Sequence, residues 1–408
     1  MSHASRGLEE GNPEAVGFSR ERLERLTDHI RAEVDAGLIP GATMLIARHG
    51  KIAYFEAIGF RDKPAQAPMT RDAIFRIYSM SKPVTSVAAM TLVEQGRLYL
   101  EHPIAAYIPA FAGVKVAVPR NDPIFSTPQG IDLVPPVRAP TVHDLLRHTA
   151  GLTYGSFETI VAKHYREAEL FVGDLSNAEF AERLAALPLA FQPGAGWNYS
   201  HATDVLGRVV EVASGKSLLE WEQEQILGPL GMSDTSFRIA DKSKHGRVAE
   251  AAAPDNLAAG APLYDPRQPA RSQMGGQGMQ STTLDYARFL QMLLNGGAFA
   301  GQRVLSPETV AFMTSDHLGA IPPGPSFYLP GDGYGFGLGF AVRRAPGLAK
   351  HPGSVGNFDW SGAAGTLFWC DPKRDFFALW MAQAPMQLFR LHSLLPNMVY
   401  AALTEPEK

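Results

Sequence analysis

The chain of 408 residues is expected to fold as an α/β protein of the α+β type, with one sheet built from both ends of the chain and flanked by helices, and a mainly helical domain inserted between them. Two observations predict this. Short β-branched and aromatic runs gather in the first hundred residues and again after Gly339, whereas the residues between carry apolar side chains at helical spacing. A chain of this length also ordinarily divides into two or more domains.

Residues 1–18 read as an arm with little regular structure. Ser19 then opens an amphipathic helix through about Ala36, with Leu23, Leu26, Ile30 and Val34 on one stripe. Strand-like runs follow at Ala42 to Ala47 and Ile52 to Gly59, and His49-Gly50 reads as the hairpin turn between them. A third run, Ile74 to Tyr78, leads into a buried helix over Val84 to Leu98, with Gly96 as its natural stop. Proline is dense from Pro103 to Pro140, which predicts a loop-rich excursion from the sheet. Thr141 caps a short helix that reaches His148 and stops before Gly151.

Ala178 to Leu187, His201 to Ser214 and Leu218 to Ile226 are further expected helices. Gly275-Gly276-Gln277-Gly278 lacks a Walker lysine or a dinucleotide fingerprint and reads as close backbone packing. Ser281 reads as the N-cap of a helix over Leu284 to Asn295, ended by Gly296-Gly297. Beyond the glycine-rich Gly331 to Gly339, strands recur at Gly339 to Arg343, Gly365 to Cys370 and Phe376 to Met381. A helix from about Gln387 to Leu403 finishes the chain. The expected division is 1–105 with 275–408 as the α/β domain and 106–274 as the helical insertion, with the active site at their interface.

The formal charge is −4 and no long basic run exists, which argues against nucleic acid or an anionic membrane as partner. Met1 to Gly7 lacks the apolar core of a signal peptide, and no later run approaches transmembrane length, so a cytoplasmic protein is expected. The single cysteine, Cys370, lies in the apolar run Leu367-Phe368-Trp369-Cys370 and is expected to be a buried, inert thiol. The twelve histidines contain no His-Glu-x-x-His, and no cluster has zinc spacing.

The chemistry centres on Ser79-Met80-Ser81-Lys82, at the start of the buried helix. Pro83 clashes with the carbonyl four residues back, so Ser79 belongs at or just before the first helical turn. Positions 79 and 82 share one helix face, and the positive end of the helix favours an alkoxide and disfavours an ammonium. A serine with its own base one turn away is an activated nucleophile. Taken alone, the tetrad equally describes an N-cap serine beside a solvated lysine.

A serine hydrolase also needs a proton path and oxyanion donors. No Gly-x-Ser-x-Gly elbow exists, which argues against the α/β-hydrolase fold. Phe191-Gln192-Pro193-Gly194-Ala195-Gly196-Trp197-Asn198-Tyr199-Ser200 is a Pro-Gly turn followed by an extended aromatic segment, which can project the Tyr199 phenol into a cleft. Gly356 to Thr366 places small residues after Trp360, where a ligand can approach the backbone closely. By themselves these read as a packed core tyrosine and a glycine-rich hairpin with a structural tryptophan.

Together the pieces resemble the serine β-lactamase and penicillin-binding superfamily, most closely its class C-like branch and the family VIII carboxylesterases. The resemblance runs from about Ser19 to Gln383. It rests on Phe75 to Pro83, Leu145 to Gly155, Pro193 to Tyr199, Gly276 to Thr282 and Tyr334 to Gly339. It implies an antiparallel sheet flanked by helices, with Ser79 as acyl-accepting nucleophile. Lys82 and Tyr199 would relay its proton, and the N–H groups of Ser79 and Ala363 would form the oxyanion hole. Trp360, Ser361, Gly362, Tyr154 and His201 would bind substrate. No metal or organic cofactor is implied, and the partner is a small-molecule ester.

Two departures matter. Where the β-lactamase branch has Tyr-x-Asn, this chain has Tyr199-Ser200-His201. That branch also keeps Lys-Thr-Gly or a close variant at the site, and here the matching place reads Trp360-Ser361-Gly362. An ammonium there would pair with a substrate carboxylate, whereas an indole offers an apolar wall, so neutral esters are the expected substrates. β-Lactam or D-amino-acid peptide hydrolysis, acyl transfer to an alcohol, and a non-catalytic module of the same fold are the alternatives.

Overall fold

The computed structural model describes residues 8–120, 130–172, 174–252, 257, 263–323 and 328–405. The expected absence of a signal peptide concerns residues 1–7, outside this set. The arm that follows is more ordered than expected: β1 (Glu9–Glu10) pairs in parallel with the start of β3, and a 3-10 turn spans Glu14–Val16. The Ser19 side chain accepts from the Arg22 N–H at 3.3 Å, capping α1 (Arg20–Asp35). β2 (Gly41–Arg48) and β3 (Lys51–Asp62) form the expected hairpin. His49 and Gly50 both take positive φ, 56° and 74°, which matches the twist of the paired strands. β4 (Ala67–Pro68) pairs with the end of β3.

β5 (Ile74–Arg76) is shorter than the expected strand, because Tyr78 turns to φ 41° and starts a 3-10 turn, Tyr78–Met80. That turn runs directly into α2 (Ser81–Glu94), where Pro83 sits in the first turn and loses no intrahelical bond. The prolines after 103 hold 3-10 turns and a hairpin, β6 (Val116–Pro119) with β7 (Ile131–Val134); residues 121–129 lie outside the described set. The middle of the chain is α3 (Val142–Leu146), α4 (Ala162–Glu167), α5 (Asn177–Ala185), α6 (Ala202–Ser214) and α7 (Leu218–Glu222), the last continuing as a π-helical turn. β8 (Gln280–Thr282) pairs with β5, so Ser281 is a strand residue opposite Phe75. The N-cap of α8 (Thr283–Leu294) is instead Thr282, which accepts from the Asp285 N–H.

A small hairpin, β9 (Ala298–Phe299) with β10 (Gln302–Arg303), and α9 (Pro307–Met313) follow. The glycine-rich stretch, read as a loop, contains β11 (Tyr334–Phe336). β12 (Ala341–Arg343), β13 (Phe358–Gly362), β14 (Thr366–Asp371), β15 (Phe376–Ala382) and α10 (Leu388–Ala402) complete the chain.

The main sheet runs β1-β3-β2-β15-β14-β13-β12-β11 and is antiparallel apart from the short β1–β3 pair. Both termini supply its strands, as the sequence predicts. Its two faces follow the period-2 alternation of side chains. Phe376, Ala378 and Trp380 of β15, with Leu367 and Trp369 of β14, face α1 and α10. Phe377, Leu379 and Met381, with Phe368 and Cys370, face the other core, which also contains α2 and the helices of the middle. Cys370 is buried there, as expected. Each fully buried aromatic contributes on the order of 2–3 kcal/mol of hydrophobic stabilisation. α2 packs against α6 and α7, so the start of α2 lies between the sheet and the helical layer.

Candidate active site

Ser79 is presented by strained backbone. Tyr78, just before it, holds a left-handed φ of 41°, a costly conformation for a residue with a bulky side chain. Ser81 stabilises that turn: its Oγ donates to the Tyr78 carbonyl at 2.6 Å and accepts the Met279 N–H at 3.1 Å. The turn is thereby tied to the strand segment that also supplies β8.

One helical turn on, Lys82 is fully buried. Its Nζ lies 3.3 Å from Ser79 Oγ, 3.2 Å from Tyr154 Oη and 2.7 Å from the Gly276 carbonyl oxygen. It also stands over the Tyr199 ring, 4.5 Å from the centroid. Burial lowers its pKa from the usual lysine range to about 7, with the nearby Asp204 carboxylate acting in the opposite direction. Lys82 is thus a mixture of amine and ammonium near neutral pH.

Tyr199 arrives on the extended segment after Pro193. Its neighbours fix it from behind: the Asn198 N–H donates to the His148 carbonyl, and Asn198 Nδ2 donates to the Leu152 carbonyl at 3.3 Å. The His148 ring lies 5.0 Å from the Tyr199 ring, and burial and the Lys82 charge push this imidazole well below its usual range. The Tyr199 hydroxyl hydrogen-bonds with Ser79 and accepts from Trp360 Nε1 at 3.3 Å. Burial pushes the Tyr199 phenol far above its usual pKa, so it is neutral at pH 7. The same cause raises Tyr154.

β13 brings the third piece. Gly362 ends this strand against the turn that carries Ser79: a Cβ there would stand 2.1 Å from the Ile77 carbonyl oxygen. Glycine is required for this approach. Gly365 N–H closes the turn onto Gly362 C=O at 2.9 Å, with Ala363 exposed at its tip.

The structure revises the expected substrate-binding set. Trp360 is only 5% exposed, packed against Tyr199 and Phe336, so it meets the site chiefly through its N–H on the tyrosine oxygen and not as a broad apolar wall. Ser361 stands opposite Leu367 in the ladder, on the face covered by α1 and α10, because successive side chains alternate across the sheet. It therefore points away from Ser79. His201 is buried behind the Tyr154 ring, at 4.2 Å between centroids, and bonds Asp204 through Nδ1 at 2.9 Å. Tyr154, read from the resemblance as a substrate contact, is a direct partner of Lys82.

Sequence reasoning missed the Gly276 carbonyl as an acceptor for Lys82, and Asp204 behind it. The signal was present in the glycine run: a Cβ at Gly276 would lie 2.7 Å from Asp204 Oδ1, so the close-packing reading of that run holds. Among the described residues no cluster of three or more His, Cys, Asp or Glu could hold a metal ion, and no helix is long and apolar enough to cross a membrane.

A sheet built from both termini, a buried Ser-x-x-Lys helix and a tyrosine on the serine define a serine hydrolase of the β-lactamase fold. The chain belongs to the Beta-lactamase family, whose model matches residues 26–396. A protein of Mycobacterium tuberculosis is 38% identical over 368 residues, covering 87% of this chain and 88% of the relative. Esterase EstB of Burkholderia gladioli is 31% identical over 350 residues, covering 81% of this chain and 82% of the relative. Among solved structures, EstCE1, a hydrolase with promiscuous acyltransferase activity, superimposes with a TM-score of 0.75 at 26% identity over 94% of this chain and 98% of its own.

Proposed function

We propose that this protein is a carboxylesterase-type serine hydrolase that cleaves small, neutral carboxylic esters through an acyl-enzyme on Ser79. One observation carries the reading: a buried lysine amine, partly deprotonated near pH 7, lies 3.3 Å from the serine oxygen. Ser79 Oγ attacks the ester carbonyl carbon as its proton passes to Lys82 Nζ, directly or through the neutral Tyr199 phenol. The tetrahedral oxyanion is received by the N–H groups of Ser79 and Ala363, a role supported by the close seating of Gly362 on the Ser79 turn. Collapse expels the alkoxide, which takes the proton back from the Lys82–Tyr199 pair. Water repeats the cycle on the acyl-enzyme and releases the carboxylic acid. On this reading residues 1–105 and 275–408 form the α/β domain and 106–274 the helical insertion. Ser79 and Trp360 then face Tyr154 and Tyr199 across the junction.

The ester preference is supported by the indole at position 360 and by the esterase named among the relatives. A carboxylate-bearing substrate finds no ammonium at this position, and an unpaired buried charge costs several kcal/mol. A series of p-nitrophenyl esters assayed beside a chromogenic cephalosporin tests the reading. Wild type is expected to favour the esters by a wide margin in kcat/KM, and equal efficiency on the cephalosporin counts against it.

Two further results are expected. The acid limb of kcat/KM should fall with a midpoint near pH 7, about tenfold per unit below it, because only the unprotonated Lys82 amine accepts the serine proton. A flat profile between pH 5 and 9 would exclude Lys82 as the base. Trp360→Phe should lower kcat about tenfold with little change in KM, the effect of one lost hydrogen bond to Tyr199. An unaltered kcat in this variant would leave Trp360 as a packing residue only.

A further inference from the structure

Lys82 is held by contacts that all trace back to one buried carboxylate. Asp204, in the first turn of α6, accepts the Gly276 N–H on Oδ1 at 2.8 Å. Its Oδ2 bonds His201 Nδ1 at 2.9 Å. Gly276 is therefore gripped from both sides, its N–H by Asp204 and its carbonyl oxygen by Lys82 Nζ. His201 in turn carries the Tyr154 ring edge-on, and Tyr154 Oη meets Lys82 Nζ from another side. The result is a closed circuit, Lys82–Gly276–Asp204–His201–Tyr154, in which Asp204 touches neither Ser79 nor the cleft.

We propose that Asp204 is a positioning residue for the Ser79 reaction. It fixes the Gly276 and Tyr154 anchors that aim Lys82 Nζ at Ser79 Oγ, and its charge sets how readily that amine holds a proton. The inference rests on the reading of Lys82 as the base. An amine with four hydrogen-bonding or ring neighbours has several places to point, and only one of them is productive. Anchoring Gly276 and Tyr154 through the same carboxylate removes the alternatives. The small residue is required at 276 because a side chain there would meet Asp204 at once. The titratable groups facing Lys82 are Asp204, Tyr154, Tyr199 and His148, and burial keeps both phenols and the imidazole neutral near pH 7. Asp204 is accordingly the group among these whose charge opposes the desolvation of the lysine.

The test compares Asp204→Asn and Asp204→Ala with wild type, using p-nitrophenyl butyrate across pH 5 to 9. Rates are normalised to the sites that a serine-directed phosphonate titrates, and melting temperatures report folding. Asp204→Asn keeps an oxygen for the Gly276 N–H but removes the charge. It should move the acid limb of kcat/KM to lower pH by about one unit and leave the plateau within about tenfold. Asp204→Ala removes both, and its plateau kcat should fall by about 100-fold with KM nearly unchanged. A merely structural role would lower the melting temperature and the titratable fraction without moving the limb of the asparagine variant. An unmoved limb in Asp204→Asn, or a wild-type plateau per titrated site in Asp204→Ala, overturns the proposal. If neither variant folds, His201→Phe replaces them. It keeps a ring against Tyr154 but removes the partner of Oδ2, and should shift the limb upward with at least a tenfold loss of kcat; a wild-type profile there overturns the proposal equally. Failure of the parent reading looks different, because turnover would then survive Lys82→Ala.

Discussion

Ser79→Ala is expected to abolish ester turnover, with a fall in kcat of about 10⁴-fold or more while the fold survives. The size follows from the chemistry. Without the hydroxyl no acyl-enzyme forms, and the remaining polar groups can only orient water. The fold should persist because the Ser79 side chain bonds only Lys82 and Tyr199, and Lys82 keeps Gly276 and Tyr154 as partners. Intact-mass measurement after phosphonate treatment gives the complementary reading: one adduct on wild type and none on the variant. A correctly folded Ser79→Ala protein with undiminished turnover would refute the assignment.

The second large effect is non-additive. Lys82→Ala and Tyr199→Phe should each reduce kcat by about 10³-fold, and the double variant should be little worse than the poorer single one. Lys82 Nζ and the Tyr199 hydroxyl both engage Ser79, and the amine stands over the phenol ring at 4.5 Å. They serve one proton path, so removing either interrupts the whole of it. The burial that raises the phenol far above neutral pH keeps Tyr199 a carrier of the proton and leaves Lys82 as its store. If the double variant loses the full sum of the two single free-energy changes, the groups act independently and the shared relay is wrong.

Most of the fold was legible in the sequence because its signals are local. The Ser19 cap, the His49-Gly50 turn and the strand and helix runs at both ends are decided by residues a few positions apart, and the structure places them within a few residues of expectation. The misreadings occur where local signals compete. Ser281 and Thr282 are both competent caps, and pairing of β8 with β5 assigns the role to Thr282. The short strand β11 is hidden among glycines and exists because β12 pairs with it.

The sequence by itself determined that Ser79 and Lys82 share the start of one buried helix, since three residues of helical spacing suffice for that. Together with Tyr199 it also pointed to a serine hydrolase. Only the tertiary structure decided what surrounds the lysine. Gly276 and Lys82 are 194 positions apart, Tyr199 and Trp360 are 161 apart, and no periodicity links such pairs. The orientation of Ser361 away from the site follows from the ladder register of β13 with β14, and a shift by one residue would have reversed it. Desolvation, which lowers the lysine to about pKa 7, likewise belongs to the assembled core, because a side chain loses its water only when distant segments close over it.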